Sequence, residues 1–532
     1  PYMAPIYLDF FTAPPKSKWV VIFTITLIVE VLFMLRNFES HTSYQENLKL
    51  HLLLFWETDR GRVTDMEKSI SKLYLLNLDP LLPIIKPLYS NTGCPAKNQL
   101  GIIRSLILML DQKHHGITNW AKKVANDPLL CAICGFQYGK APSVGSYYDF
   151  IKRLWKASHK IHVARKKKLR PFKPKPRKKL KAGQKLKPKH NGIVKKFARI
   201  AMRDALPEYR PEQIFQEFLA RCVVDVSAKM GILGDVQKLS VAGDGTPFYS
   251  GASHYGTKVC DCKKHGVYDC KCPRRYSDPD ARWGWDSYRE QWFYGDTLFN
   301  ITASDSPYDL PIYLRKAQAS RHDSILAVFA MSEVRKLYPD LCIRNFIADG
   351  AMDNYPTYEL MYHWNIIPFI PLDAKTKQTL TKLPPGIICL DDQGRPICKG
   401  GIPYEDCGYS YPKGIKYRCY FDCHDIEKPC QCTDSPYGRT VYLKPKDDFR
   451  LITPVPRGSE AFNEKFKTRT SVERSHKRLF EDYDIEEYKA RSSRQRFALA
   501  TFAAVNVHLD AWVKHTGFSI IPLLEELSGK AA

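Results

Sequence analysis

The chain has 532 residues with a formal net charge of +25, from 81 Lys and Arg against 56 Asp and Glu, and 44% of it is hydrophobic. That length and apolar content suit about two or three domains around a sizeable core and exclude a disordered chain. The positive excess favours a polyanionic partner, nucleic acid ahead of an anionic membrane surface. The 16 cysteines include close C-x-C pairs, a spacing that argues for metal ligands over a disulfide framework in a chain of this length.

Near the start, Trp19 to Leu35 is the one membrane-like stretch, with 17 residues interrupted by Glu30. It is short for a hydrocarbon core of about 30 Å, and a buried element is expected there in preference to a span. From Leu48 to Trp155 apolar residues recur at spacings of three and four, which predicts an all-α N-terminal domain over residues 1–160. Cys131 and Cys134 form a C-x2-C with no second pair nearby and read as buried helix cysteines.

Residues 161–193 read as a basic, proline-rich linker. Arg165 to Lys189 holds 14 Lys and Arg and no acid, including Arg165, Lys166, Lys167, Lys168, Arg177, Lys178 and Lys179, with four prolines among them. Charge repulsion and proline keep such a segment extended, and DNA phosphates are its expected contact.

The chain is organised around the apolar run of Leu239, Val241 and Ala242, which ends at Asp244 between Gly243 and Gly245. This predicts a strand that delivers a carboxylate to a glycine-flanked exit, where the absence of side-chain bulk permits a close approach. Cys342 to Gly350 repeats the pattern and ends in Asp349 followed by glycine. Between and around these runs, Val194 to Leu219 reads as helix, Trp292 to Thr302 and Pro311 to Leu314 as strands, Ser324 to Leu337 as helix, Tyr355 to Trp364 as helix, and Ile366 to Leu372 as strand. A third carboxylate, Glu473, lies in the charged, helix-patterned segment FKTRTSVERSHKRLF. Two Asp on strand ends and a Glu on a helix can converge on a pair of hard divalent cations that keep room for phosphate oxygens.

The order Asp244, Asp349, Glu473 in the surroundings AGDGTPF, FIADGAMDN and TRTSVERSHKRLF resembles the DDE transposases of bacterial insertion sequences, over roughly Leu239 to Gly517. The resemblance implies an α/β fold with an RNase H-like mixed sheet core, a Cys-rich insertion and a β-rich insertion, preceded by the all-α N-terminal domain. On that reading the first part of the core spans 194–373 with the Cys-rich insertion at 250–291, the β-rich insertion spans 374–468, and the Glu helix and C-terminal helices span 469–532. The implied activity is metal-dependent DNA cleavage and strand transfer, with Asp244, Asp349 and Glu473 holding two Mg²⁺ or Mn²⁺ ions. The implied partners are double-stranded DNA, as element ends and target, and further copies of the chain in a homodimer or larger assembly. The implied place is on DNA in the bacterial cytoplasm, not in a membrane, and the helical domain is expected to recognise the element ends.

One subgroup of the family carries a β-rich insert before a Y-x2-R-x3-E-x6-K signature. Here Arg469 and Glu473 keep its R-x3-E part, while Phe466 and Phe480 replace the Tyr and the Lys. Lys477, one turn beyond Glu473, is the expected substitute beside Arg469 as a phosphate contact. Two alternatives stay open: a zinc-dependent DNA-binding protein derived from such an enzyme, and an RNase H-like nuclease that cuts without joining.

In the first insertion Cys260, Cys262, Cys270 and Cys272 form two C-x-C pairs, a set suited to tetrahedral Zn²⁺. Arg274, Arg275, Trp283, Trp285 and Tyr288 follow, to stack on or grip DNA if the zinc loop orders them, or equally to pack a small subdomain. Within the β-rich insertion Cys419, Cys423, Cys430 and Cys432 are a weaker zinc candidate, with Cys389, Cys398 and Cys407 as alternative partners. Last, Ser492 to Lys514 predicts a core-packing helix in which His508 is structural.

Overall fold

The computed structural model describes residues 38–89, 96, 98–155, 192–207, 210–272, 274–373, 383–410, 412–419, 433 and 435–531. The apolar stretch at 19–35, the basic linker with Arg165, Lys166, Lys167, Lys168, Arg177, Lys178 and Lys179, and Cys423, Cys430 and Cys432 lie outside the described residues. Among the described residues no helix is long and apolar enough to cross a membrane.

A curled mixed sheet forms the centre. Its middle strand, β1 (Leu239–Tyr249), has the buried residues Leu239, Val241 and Ala242 at its start. The hairpin strands β2 (Arg282–Asp286) and β3 (Gln291–Ala303) follow, then β4 (Pro311–Gln318), β5 (Ile343–Ile347) and β6 (Ile367–Phe369). β1 runs antiparallel to β3 and parallel to β5, and β5 is parallel to β6. β3 is long enough to take two partners on its far side, β2 along Gln291–Gly295 and β4 from Asp296 onward. The parallel steps need crossovers, and two helices supply them: α3 (Asp323–Leu337) before β5 and α4 (Tyr355–His363) before β6.

The strand carrying Asp244 does not end there. β1 continues through Tyr249 because Thr246, Pro247, Phe248 and Tyr249 keep pairing with β3. Only the parallel ladder with β5 stops, at Ala242 opposite Ile347. Asp244 therefore sits just past the end of the parallel pairing and inside the antiparallel one. Gly243 serves close packing, since a Cβ there would lie 2.8 Å from the Phe346 ring.

The helical segment shares the sheet's core. Helix α1 (His41–Thr58) is capped by Ser40, and α2 (Gln99–Asp111) is buried on nearly every face. The 24-residue α7 (Ser493–Thr516) packs on α2, on the helix Glu67–Leu75 and on β4. Asn506 Nδ2 of α7 donates to the Ile107 carbonyl of α2 at 2.9 Å. One hydrophobic cluster thus runs from Tyr44 to Leu524 through both segments.

The β-rich insertion closes a second cluster of its own around Tyr404, Ile415, Tyr417, Val441 and Leu443. In it Gly414–Arg418 pairs antiparallel with Thr440–Leu443. Arg450 ties it to the connection between β5 and α4 by binding Asp353 with two nitrogens, at 2.8 and 2.6 Å.

Candidate active site and metal centre

Apolar residues beside the three acids bring them together. Ala242, Ile347 and Val472 are fully buried in one small cluster with Phe369 and Phe462. They lie just before Asp244, Asp349 and Glu473, so their packing aims the three acids at one place. Glu473 stands on α6 (Thr470–Lys477), which follows α5 (Glu460–Lys467). Asn300, opposite Asp244 in the β1–β3 ladder, donates to Ser475 Oγ of α6 at 2.9 Å in a buried contact. Arg474 grips Asp309 with two nitrogens, both at 2.7 Å, and Arg478 donates to the Tyr308 carbonyl at 2.7 Å. With α6 held in register, Asp244, Asp349, Glu473, Arg469 and Lys477 all line one open cleft of about 1120 Å³.

Asp286, Asp323, Glu481 and Glu486 also line that cleft. Asp323, in the first turn of α3, reaches over β1, and both it and Asp349 act on Asp244. Burial first, then the charges of Asp349 and Asp323, push the Asp244 carboxyl up to about 7. Burial pushes Asp323 up to about 6, with Asp349 adding to the rise. In the sequence Asp323 was indistinguishable from an acid placed to complement a helix N-terminus. Glu473 is engaged differently, in a 2.5 Å ion pair with Arg469. These are oxygen donors of the kind a hard divalent cation takes, but no three of them bring oxygens within 4.8 Å of one another.

Lys477 is exposed in the cleft and makes no ion pair among the described residues. Phe480 packs edge-on against Phe248 with centroids 5.2 Å apart, and Phe466 stacks on Phe462 at 6.0 Å. Both positions therefore serve apolar packing. His476, which the sequence pattern did not single out, also lines the cleft; burial pulls it down to about 4 and holds it neutral, and its Nε2 has no partner among the described residues. His508 is structural: its Nδ1 accepts a hydrogen bond from the Ser227 hydroxyl at 2.7 Å and its Nε2 donates to the Pro311 carbonyl at 2.9 Å.

The first cysteine cluster is assembled by a two-residue ladder, Thr257–Lys258 against Arg274–Arg275. Cys260 is the extended residue before a 3-10 turn over Asp261–Lys263, and that turn brings the Cys262 sulfur round beside it toward the second pair. The ligand atoms of Cys260, Cys262, Cys270 and Cys272 lie within 4.8 Å of one another, with Sγ–Sγ distances of 3.5 Å for Cys260–Cys270 and Cys262–Cys272. Hydrogen bonds from the Cys262 backbone N–H and the Cys270 thiol pull Cys260 down to about 7, while hydrogen bonds with Cys272 and Cys260 push Cys262 up to about 12, so without an ion the cluster favours one thiolate held by neighbouring thiols. His265 does not join the set. Among the described residues no other three such side chains crowd this closely. Of the weaker candidate only Cys419 is described, and it is buried in the core of the β-rich insertion; Cys398 is buried and Cys389 exposed. Cys131 and Cys134 are buried in a helix, where burial raises their thiols to about 11 and about 12.

No family model, no curated protein and no solved structure matches this chain.

Proposed function

We propose that this protein is a DDE-type transposase, an enzyme that cuts and rejoins DNA at the ends of an insertion sequence. The observation that carries the proposal is the convergence of Asp244, Asp349 and Glu473, far apart in the chain, on one cleft lined by Arg469 and Lys477. The strand order β4-β3-β1-β5-β6, with the last two steps parallel, is the order expected of an RNase H-like core and supports the same reading.

Asp244, Asp349 and Glu473, joined by Asp323, would hold Mg²⁺ or Mn²⁺, which when bound supplies Lewis-acid stabilisation of the charge that builds on phosphate oxygens. Lys477 meets the incoming phosphate as a point charge, and Arg469 can exchange its Glu473 contact for a phosphate oxygen, a bidentate interaction to which guanidinium is suited. Double-stranded DNA is the proposed substrate, with the basic segment at 165–189 adding sequence-independent affinity that falls steeply with salt.

The four thiolates are proposed to hold one structural Zn²⁺. A zinc-dependent DNA-binding protein without cleavage activity is the competing reading, favoured by that cluster alone. Purified protein is incubated with DNA carrying the element ends and Mg²⁺. Nicking that disappears in Asp244→Asn, Asp349→Asn and Glu473→Gln supports the enzyme, and nicking by any of the three overturns the site.

A further inference from the structure

A buried arginine in the helical segment has its hydrogen bonds unmade. Arg104, on α2, is 0% exposed, and none of its three guanidinium nitrogens has a hydrogen-bond partner. Among the described residues no other arginine has all three nitrogens in that state. The guanidinium carbon lies 3.4 Å from the ring centroid of Tyr44 on α1, and the nearest counter-charge, Glu39 Oε2, stands 3.7 Å from Nη1, beyond hydrogen-bond distance. Glu39 Oε2 has no partner of its own, and neither does His41 Nδ1, which is close enough to feel the charge of Arg104. Buried polar groups are normally hydrogen-bonded, and a guanidinium carries five donors.

This guanidinium lies against the wall of a cavity of about 840 Å³, lined by α1 and by the chain leaving the helix Pro128–Cys134. Tyr44, Glu39 and Gly135 all belong to that wall. A Cβ on Gly135 would lie 2.9 Å from Arg104 Nη1, so the glycine, in the left-handed conformation that ends the helix, keeps side-chain bulk away from the guanidinium. Tyr44 is fixed by its hydroxyl, which donates to the Ile133 carbonyl at 2.7 Å. Glu39 can yield, because its side chain is 21% exposed and its Oε1 accepts from Asn47 Nδ2, in the cavity lining, at 2.7 Å. Leu48, Phe136 and Pro142 give the cavity apolar walls, with Asn47 and Lys140 among its polar groups. A concave site of this size, with apolar walls and a few polar anchors, suits a small molecule.

We propose that this cavity binds a small organic carboxylate whose acid group replaces Glu39 on Arg104. A planar carboxylate accepts two parallel N–H bonds from a guanidinium, which supplies what Arg104 lacks. Charge sets the class of ligand: Lys140 in the lining and Arg104 behind it face Glu39, which leaves one positive charge for a monoanion and too little for a doubly charged phosphate. A DNA backbone does not reach a guanidinium buried this deeply. The cavity shares no residue with the cleft of Asp244, so the inference stands apart from the proposed DNA-cutting function.

The test follows the melting temperature and ligand-detected NMR of the full-length protein with benzoate and hexanoate as probes. Benzamide and hexanamide keep their shapes without the charge, and inorganic phosphate supplies an oxyanion without the apolar body. At about 10 mM the two carboxylates should bind and raise the melting temperature, and the amides should not. Glu39→Gln removes the competing carboxylate and should bind both probes about tenfold more tightly. Arg104→Met should lose the binding yet, without ligand, melt no lower than wild type, because it deletes donors that had no partner. Wild type that responds to neither carboxylate overturns the inference, as does an equal response to the amides. Stabilisation by phosphate alone assigns the site to an inorganic oxyanion and overturns it too. So does weaker binding by Glu39→Gln, and so does a ligand-free Arg104→Met protein that fails to fold, since the arginine is then structural.

Discussion

Gly245 brings the backbone of β1 directly under the carboxylate of Asp323: a Cβ at this position would lie 2.4 Å from Asp323 Oδ1 and 2.7 Å from its Cγ. The residue beside Asp244 is thus a glycine because a neighbouring acid occupies the space a side chain would fill. Gly245→Ala should push the Asp323 carboxylate out of the cleft at small cost in stability, since a side chain yields where backbone would not. The expected outcome is weaker Mn²⁺ binding, followed by calorimetry on protein without DNA, with a melting temperature within a few degrees of wild type. Asp323→Asn should weaken Mn²⁺ binding in the same way. Unchanged affinity in both variants would remove Asp323 from the site.

The raised Asp244 carboxyl makes a prediction with a definite sign. Between pH 3.8 and about 7 the folded chain keeps a proton that the unfolded chain has released, so this group's contribution to stability falls as pH rises through that window. Asp244→Asn removes the penalty. Without divalent cations it should stabilise the protein at pH 8 by ~2 kcal/mol, discounted from the full shift because the residue keeps some water contact, and have little effect at pH 4. Added Mg²⁺ should raise the wild-type melting temperature at pH 8 and leave that of the variant almost unchanged. A destabilised variant at pH 8 would show that the carboxylate is satisfied by protein groups alone.

The elements that carry the acids were legible because each is a local pattern. An apolar run ending in Asp and Gly, a helix over 324–337 and a charged helix around Glu473 all depend on neighbours in sequence, and they lie close to the observed Ile343–Ile347, Asp323–Leu337 and Thr470–Lys477. What escaped depends on distant partners. The expected strand Pro311 to Leu314 runs on to Gln318 because Arg315 finds Glu212 at 3.1 Å and Lys316 finds Asp296 at 3.6 Å, so a cationic stretch that breaks the apolar pattern stays in the sheet. Asp323 and His476 belong to the cleft only because α3 and α6 cross β1 from separate parts of the chain. The helical N-terminal segment reads as a unit in sequence, yet its core continues into α7 and the sheet.

Arg496 of α7 is a buried hub. It binds Asp278 at 2.6 Å in the first insertion and also Asp296 on β3, which accepts the Ser493 hydroxyl at 2.8 Å. Burial pushes the Asp296 carboxyl up, but Lys316 and Arg496 outweigh it and hold the group below the usual carboxylate range. Stability from this pairing is present above the unfolded carboxylate pKa and is lost as pH falls through the lower folded value. Arg496→Met leaves Asp278 buried without its cation and Asp296 with Lys316 alone, and should cost about 3 kcal/mol at pH 7. Thermal unfolding should show a smaller loss at pH 3, where protonation relieves the stranded charge. An equal loss at both pH values would assign the effect to packing.

The cysteine cluster and the acidic cleft should behave as two separable metal sites in one protein. Thiolates are soft ligands that select Zn²⁺, and the carboxylates are hard ligands suited to Mg²⁺ or Mn²⁺, so neither ion should displace the other. The four sulfurs already lie within 4.8 Å of one another, but their loop is held by a ladder of only two residue pairs, Thr257–Arg275 and Lys258–Arg274. Metal binding must therefore supply much of the folding energy of the insertion. Replacing Cys260 and Cys272 with Ser should remove about one equivalent of zinc, lower the melting temperature and loosen the Thr257–Arg275 segment to proteolysis. Mg²⁺ should not restore any of these. The Asp278–Arg496 contact lies just beyond the loop, so the damage should stay local and the rest of the sheet should keep its hydrogen-exchange protection. Wild-type protein purified without chelator that contains no zinc, or a double variant with unchanged stability, would return the four cysteines to the role of ordinary thiols.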